Sequence, residues 1–182
     1  VKEASAALRG MGVTKGDRIT IYMPVCPEAL ILMLATVRIG AIHSVIFAGF
    51  GAGAIADRVN ASGSKLIFTT DITYRKGKDI NLKEIIDSAI EKGLDSVEHV
   101  IILPRGKEKI NHTNGRYILW SDFLKHGMNQ DNHYELMESN DPAYILATSG
   151  TTAKPKLVVH VHGGYHVYYT HLRARATLRY LV

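Results

Sequence analysis

Short apolar runs alternate with helix-length segments along most of the chain, and this alternation constrains the fold more than any other feature. The runs are rich in β-branched residues, which predicts strands at 18–23, 43–48, 65–70, 99–103, 143–148 and 157–160. The intervening segments predict helices at 28–39, 54–62, 82–92 and 121–126. Strands that are apolar on both faces and separated by helices indicate an α/β fold, with a parallel-rich sheet layered with helices.

The pattern divides the chain into three parts. Residues 1–103 are predicted to form a βα-repeating subdomain, in which the polar stretch 71–79 is a loop. Residues 104–141 are predicted to be an irregular connector, and residues 142–182 carry the last two strands and a basic tail. The chain starts at Val1 without an initiator methionine and its first residues resemble the inside of a helix, so we expect a piece of a longer protein.

Composition excludes several classes of protein. Hydrophobic residues make up 46% of the chain and charged residues 21%, which is ordinary for a globular protein and argues against disorder. The single cysteine, Cys26, excludes an intrachain disulfide and zinc sites built from paired cysteines, and it fits a cytoplasmic location. The most apolar stretch, 29–37, is far shorter than the roughly 20 residues of a membrane-spanning helix, so no membrane partner is expected.

The positive charge is concentrated at the end of the chain. All 17 acidic residues lie at or before Asp141, whereas five of the 22 basic residues follow it. Such a tail attracts polyanions such as phosphate, a nucleotide or a nucleic acid. The alternative is a helix whose acidic partners lie elsewhere, and this is favoured over nucleic-acid binding for Arg173, Arg175 and Arg179.

A glycine-rich turn follows the second predicted strand. The sequence Gly-Phe-Gly-Ala-Gly-Ala at 49–54 fits the dinucleotide-binding pattern, and Asp71 at the end of the next strand could hold ribose hydroxyls. Two features weaken this NAD-binding interpretation, because the last glycine is replaced by Ala54 and the strand is not the first of the sheet. The alternative is a tight strand-to-helix turn that needs glycine for its backbone and packing.

The most specific segment is the loop between the last two predicted strands. The sequence Thr-Ser-Gly-Thr-Thr-Ala-Lys-Pro-Lys at 148–156 combines hydroxyls, a glycine backbone and two lysines, all suited to phosphate oxygens. It is not a Walker A loop, and a strand follows it instead of a helix. The alternative for the loop alone is a solvated hairpin turn.

This loop resembles the signature of the adenylate-forming enzymes, and the rest of the chain resembles their AMP-forming acetyl-CoA synthetase branch. The similar segments follow in the family's order from about Gly16 to Tyr169; they are 45–50, 56–58, 74–78, 82–84, 96–101, 159–160 and 163–165. The resemblance implies part of the N-terminal domain of such an enzyme. It also implies that the glycine-rich turn belongs to the scaffold near the channel for CoA.

The resemblance assigns two groups of residues. ATP phosphates would be bound by Thr148, Ser149, Gly150, Thr151, Thr152, Lys154 and Lys156. The phosphorylated end of CoA would be bound by Arg75, Lys76, Gly77 and Lys78. Cations on a short loop suit a phosphate, although a bare basic cluster is more often a solvated turn. Catalytic residues and metal ligands are not assigned, since the family's acyl pocket, metal-site acid and adenylation lysine lie beyond this segment.

Two loop positions depart from the family, which usually has glycine where Ala153 and Leu157 stand. Ala153 would be strained if that position needs a positive φ, and Leu157 would crowd the exit of the loop. Beyond Tyr169 the resemblance fades. His160, His162 and His166 have spacings that a metal site could use, but packing or surface placement is favoured because no carboxylate follows Asp141.

The resemblance implies a ligase that converts a short carboxylic acid, most simply acetate, to its CoA thioester with ATP, Mg²⁺ and CoA as cofactors and substrates. We expect the chain to be inactive by itself and its partners to be small molecules. Two alternatives stay open at this point, an NAD-binding Rossmann domain and a non-catalytic scaffold that binds a nucleotide or nucleic acid. Neither acyl-chain specificity nor oligomeric state can be predicted from the sequence.

Overall fold

A computed structural model of the chain describes residues 1–106, 110, 115–148 and 156–164. Its helices are α1 (Lys2–Gly10), α2 (Pro27–Arg38), α3 (Ala52–Ser62), α4 (Leu82–Glu91) and α5 (Trp120–Lys125). Its strands are β1 (Arg18–Tyr22), β2 (Ile42–Val45), β3 (Leu66–Thr70), β4 (Ile72–Arg75), β5 (Lys78–Asn81), β6 (His99–Leu103), β7 (Tyr117–Leu119), β8 (Pro142–Thr148) and β9 (Lys156–Val161).

Seven of these strands form one sheet in the order β7-β6-β3-β1-β2-β8-β9. Every neighbouring pair in it is parallel except β8 and β9, which form an antiparallel hairpin. The predicted α/β class with a parallel-rich sheet is therefore confirmed.

Alternating residues of the central strands pack into two separate apolar cores. On one face, Ile19 and Phe68 pack with residues of α1, α2 and α5. On the other face, Tyr22 and Ile67 pack with residues of α3 and α4. Burying one such side chain contributes about 1.5–3 kcal/mol to the stability of the folded state. Because both faces of these strands are covered by helices, neither face is polar.

Two elements differ from the sequence prediction. The stretch 71–79, predicted as a loop, lies largely in the hairpin of β4 and β5, which forms a separate two-stranded sheet. Its turn residues Lys76 and Gly77 have φ of 51° and 75°, the left-handed geometry that joins two strands tightly. The connector predicted as irregular contains β7, which pairs with β6 at the sheet edge. Three residues are too short a run to show strand periodicity.

A row of rings joins the β8–β9 hairpin to the sheet. The ring of His43 on β2 stacks on that of Tyr144 on β8, with centroids 5.5 Å apart. Tyr144 in turn stacks on His160 of β9 at 4.6 Å. This row matters because β2 and β8 pair at only two positions, His43 with Tyr144 and Ser44 with Ile145.

His43 is a buried neutral base. The residue is 4% exposed, and neither ring nitrogen has a hydrogen-bond partner among the described residues. Burial lowers its pKa from 6.5 to about 4, because the imidazolium ion would lose its hydration inside the core.

This burial predicts acid sensitivity of the fold. The folded-state pKa lies below the unfolded value of about 6.5, so stability is fully present above pH 6.5 and is lost as pH falls towards 4. Between pH 7 and 4 the free energy of unfolding should fall by about 3 kcal/mol more in the wild type than in His43→Phe. Urea unfolding at several pH values measures this difference. The exposed His126 provides the control, since His126→Gln should keep the wild-type slope; parallel curves for wild type and His43→Phe would contradict the prediction.

Candidate functional site

The candidate site lies at the carboxyl edge of the central strands. The connection after β1 leads to α2 on one face of the sheet, whereas the connection after β2 leads to α3 on the other face. Connections that diverge in this way open a crevice at the carboxyl ends of parallel strands, where ligands of open α/β sheets bind. The glycine-rich turn follows β2 and the β4–β5 hairpin follows β3, so both predicted motifs belong to this edge.

The glycine-rich turn is fixed by aromatic and cationic side chains. The buried Tyr22 hydroxyl donates a hydrogen bond of 2.8 Å to the carbonyl of Phe50, and burial raises the pKa of Tyr22 to about 12. The guanidinium of Arg58 lies 4.4 Å from the centroid of the Phe50 ring and donates to the carbonyl of Ala54. Phe47 meets Phe50 edge to face at 6.0 Å. These contacts hold the turn against the start of α3.

The basic hairpin meets the glycine-rich turn at Gly49. A Cβ atom built on Gly49 would lie 2.4 Å from Cε1 of Phe47 and 3.0 Å from Nη1 of Arg75. The Arg75 guanidinium also lies 5.9 Å from the centroid of the Phe47 ring. The structure therefore brings together two motifs that the sequence presents separately, and any side chain at position 49 would have to displace the ends of Phe47 and Arg75.

The hairpin presents its cations to solvent. Arg75, Lys76 and Lys78 are exposed, and Arg75 pairs across the turn with Lys78. None of the three forms an ion pair with any residue that the structure describes, so their charge is available to an anion. The exposed ring of Tyr74 directly precedes Arg75 in sequence, and the exposed ring of Phe47 lies near the Arg75 guanidinium in space. This edge therefore has both positive charge and apolar surface.

Asp71 does not have the environment of a ribose-binding acid. Its Oδ1 accepts hydrogen bonds from the backbone N–H groups of Ile72 and Arg105, at 2.8 and 2.7 Å. Its Oδ2 accepts the N–H of Gly106 at 2.9 Å, and the residue is 7% exposed. Because these backbone groups already occupy the carboxylate, the NAD-binding interpretation of the glycine-rich turn is not supported.

The predicted phosphate loop lies only partly within the described residues. Its ends, Thr148 on β8 and Lys156 on β9, are paired in register, and the Thr148 hydroxyl donates to the Lys156 carbonyl at 3.2 Å. Lys156 is exposed, and the predicted order of strand, loop and strand is confirmed for both strands. The remaining candidates lie outside the described residues, as does the departing residue Ala153; the candidates are Ser149, Gly150, Thr151, Thr152 and Lys154.

Leu157 and the histidines have structural surroundings. Leu157 pairs with Ala147 in the antiparallel ladder, which places it within the strand. His160 stacks on Tyr144, while the backbone N–H of His162 donates to the Asp141 carbonyl and burial lowers the pKa of the His162 ring. His166 and the basic tail lie outside the described residues.

Phe47 and Arg58 lie within segments of the family resemblance, yet no pattern in the sequence assigns a role to either residue. An aromatic residue just after a strand normally indicates core packing, but Phe47 is 62% exposed. Arg58 follows the turn on a helix face, and only the fold shows that it reaches back to Phe50.

The part of the chain that the structure describes contains neither a group of possible metal ligands nor a membrane-spanning helix. No group of three or more histidine, cysteine or acidic side chains there is placed to bind a metal ion. Likewise, none of the described helices has both the length and the hydrophobicity to span a bilayer.

Known proteins similar to this chain are CoA ligases. It is 48% identical over 161 residues to 3-hydroxypropionyl-coenzyme A synthetase of Metallosphaera sedula, a match that covers 87% of this chain and 24% of that protein. It is 46% identical over 159 residues to acetyl-coenzyme A synthetase of Escherichia coli, covering 87% of this chain and 24% of the relative. The chain thus spans about a quarter of the length of these curated relatives.

The fold is shared as well. Acetoacetyl-CoA synthetase from Streptomyces lividans superimposes with a TM-score of 0.77 at 28% sequence identity, over 90% of this chain and 25% of that one. The sequence model described as AMP-binding enzyme matches residues 1–181. With a match over nearly its whole length and the fold of a related synthetase, this chain belongs to the AMP-binding enzyme family.

Proposed function

We propose that this chain is part of the N-terminal AMP-binding domain of an AMP-forming CoA ligase that activates a short carboxylic acid, most simply acetate. The observation that carries the proposal is the contact between the basic hairpin and the glycine-rich turn, where Arg75 lies against Gly49. Unpaired cations beside exposed aromatic rings suit the phosphates and apolar arm of CoA. Relatives that make acetyl-CoA and 3-hydroxypropionyl-CoA support a short acid.

The first half-reaction forms an acyl-adenylate. A carboxylate oxygen of the acid bonds to the α-phosphorus of ATP as the bond from that phosphorus to pyrophosphate breaks. Lys154 and Lys156 would offset the charge that builds on the leaving pyrophosphate, while Ser149, Thr151 and Thr152 donate hydrogen bonds to its oxygens. Thr148 and Gly150 complete the loop, and the described ladder supports it because Thr148 is paired directly with Lys156.

The second half-reaction transfers the acyl group to CoA. The CoA thiol gives up its proton, its sulfur bonds to the acyl carbon, and the carbon–oxygen bond to AMP breaks. Arg75, Lys76 and Lys78 would bind the phosphorylated nucleotide end of CoA, with Gly77 supplying the left-handed turn. The glycine-rich turn would form one wall of the CoA entrance.

The proposal assigns no residue of this chain to Mg²⁺. The ion would accompany ATP and neutralise phosphate charge, but the described residues present no set of three possible ligands. The division into residues 1–103, 104–141 and 142–182 also remains part of the proposal. The proposed location is the cytoplasm, where ATP and CoA are both available.

The CoA assignment is tested in a longer synthetase that carries this chain. Arg75→Ala/Lys78→Ala should raise the KM for CoA by about tenfold or more and leave pyrophosphate exchange within about twofold, because the lost charges face only CoA. The matched control is Lys92→Ala/Lys125→Ala, which removes two exposed cations from other parts of the surface. An equal loss of activity in both half-reactions would contradict the assignment of these residues to CoA.

Gly49 offers a second test of the same surface. In Gly49→Ala the new methyl group displaces Phe47 and Arg75, both of which meet it with flexible side-chain ends. We therefore expect a change of less than about 1 kcal/mol in the free energy of unfolding but a several-fold rise in the KM for CoA. Gly51→Ala is the control, since a Cβ there meets nothing within 4 Å. If both variants behave alike, the close contact at Gly49 has no part in binding CoA.

The phosphate loop is tested at its described end. Lys156→Ala should lower kcat for adenylation more than it raises the KM for ATP, because an exposed lysine adds little to ground-state binding but stabilises charge in the transition state. Ala153→Gly should leave activity unchanged or raise it. Pyrophosphate exchange measures both variants, and a parental exchange rate in Lys156→Ala would remove the loop from phosphate handling.

A further inference from the structure

Asp71 joins three segments at the carboxyl edge of the sheet. As described above, its buried carboxylate accepts backbone N–H groups from Ile72, at the start of β4, and from Arg105 and Gly106, just after β6. Its backbone carbonyl accepts the N–H groups of Leu82 and Lys83, at 2.8 and 3.1 Å. One residue therefore holds the entry to the hairpin, the start of α4 and the loop that follows β6.

These hydrogen bonds fix the two strand termini at the base of the β4–β5 hairpin. Ile72 begins β4 and is paired with Asn81, the last residue of β5. Asp71 holds the N–H of Ile72 through its carboxylate and the N–H of Leu82, immediately after Asn81, through its carbonyl. The base of the hairpin is thus tied to the end of β3 from both sides.

The rest of the hairpin depends on this base. β4 and β5 form their own two-stranded sheet, and an isolated two-stranded hairpin is only marginally stable in water. Arg75 lies at the far end, three residues from Ile72, where it contacts Phe47 and Gly49. A shift at Asp71 would therefore move Arg75 relative to the glycine-rich turn.

A carboxylate suits this position better than an amide. Two charged oxygens accept three N–H groups at Asp71, whereas an asparagine offers one acceptor oxygen and turns an NH₂ group towards a donor. Charge-assisted hydrogen bonds to a carboxylate are also stronger than neutral ones.

We propose that Asp71 is a positioning residue that holds the basic hairpin against the glycine-rich turn and thereby sets the affinity for CoA. This inference rests on the proposed function, because it uses Arg75 as a ligand of CoA phosphate. Asp71 does not touch the substrate; it acts through Arg75.

Two variants perturb the same junction from opposite sides, in the longer synthetase that carries this chain. Asp71→Asn removes an acceptor. In Gly106→Ala the added Cβ would lie 2.9 Å from Oδ2 of Asp71 and 3.2 Å from Cδ1 of Ile72, so it pushes the carboxylate away. Asp79→Asn is the control, because it makes the same chemical change on an exposed residue of the same hairpin.

Both junction variants should raise the KM for CoA by about tenfold and leave pyrophosphate exchange within about twofold, while Asp79→Asn stays near wild type for both. In a double-mutant cycle, Arg75→Ala should weaken CoA binding much less in the Asp71→Asn background than in the wild type, since Arg75 is already displaced. Thermal unfolding shows whether each variant is folded. If Asp71→Asn does not fold, the KM of the Gly106→Ala variant for CoA tests the inference.

An unchanged KM for CoA, a parallel loss in both half-reactions, or additive effects of Asp71→Asn and Arg75→Ala would overturn the inference. The Arg75→Ala/Lys78→Ala enzyme distinguishes a failure of the positioning role from a failure of the proposed CoA site. If that enzyme has an altered KM for CoA and the junction variants do not, only the positioning role fails. If it has the wild-type KM, the proposed CoA site fails and the positioning role fails with it.

Discussion

Burial of both faces of the central strands is the constraint on which this structure depends. Strands β1, β3 and β6 carry apolar residues on each face, and helices must cover both. The chain satisfies this by sending its first connection to one face and its second to the other. The same division of helices leaves the carboxyl edge open between diverging connections, so the requirement for a core also creates the place for a ligand.

The open edge is organised by polar groups that serve the backbone. Tyr22 is buried in one core and uses its hydroxyl to hold the Phe50 carbonyl, while Asp71 uses its carboxylate to hold three N–H groups. Neither side chain is available to a ligand. The groups that face solvent are instead the cations of the hairpin and the ring of Phe47. The cations form no ion pair with any residue in the described part of the chain.

Strand and helix positions could be predicted because periodicity and β-branched runs report burial directly. β6 was placed at its observed bounds, and most other elements within two residues. Two kinds of feature escaped. The β4–β5 hairpin mixes polar and apolar residues on both of its faces, and its turn depends on a left-handed Lys76, which composition does not reveal. The three residues of β7 form a strand because they pair with the edge of β6, a long-range contact that the local sequence does not show.

For the site, the sequence supplied the motifs but not their arrangement. The basic residues and the glycine-rich turn are about 25 residues apart in sequence, and only the parallel order of β1, β2 and β3 places Arg75 beside Gly49. Asp71 had the right spacing for a ribose acid, but spacing cannot show that backbone donors from residues 105 and 106 already surround it.

The β4–β5 hairpin has no pairing with the main sheet, and this independence separates two kinds of sequence change. A residue inserted between Lys76 and Gly77 would lengthen only the turn of this hairpin and leave the register of the seven strands in the main sheet unchanged. A residue inserted in β1 would turn apolar side chains from one core to the other. The charge and length of the hairpin tip can therefore change while the sheet beneath it keeps its register.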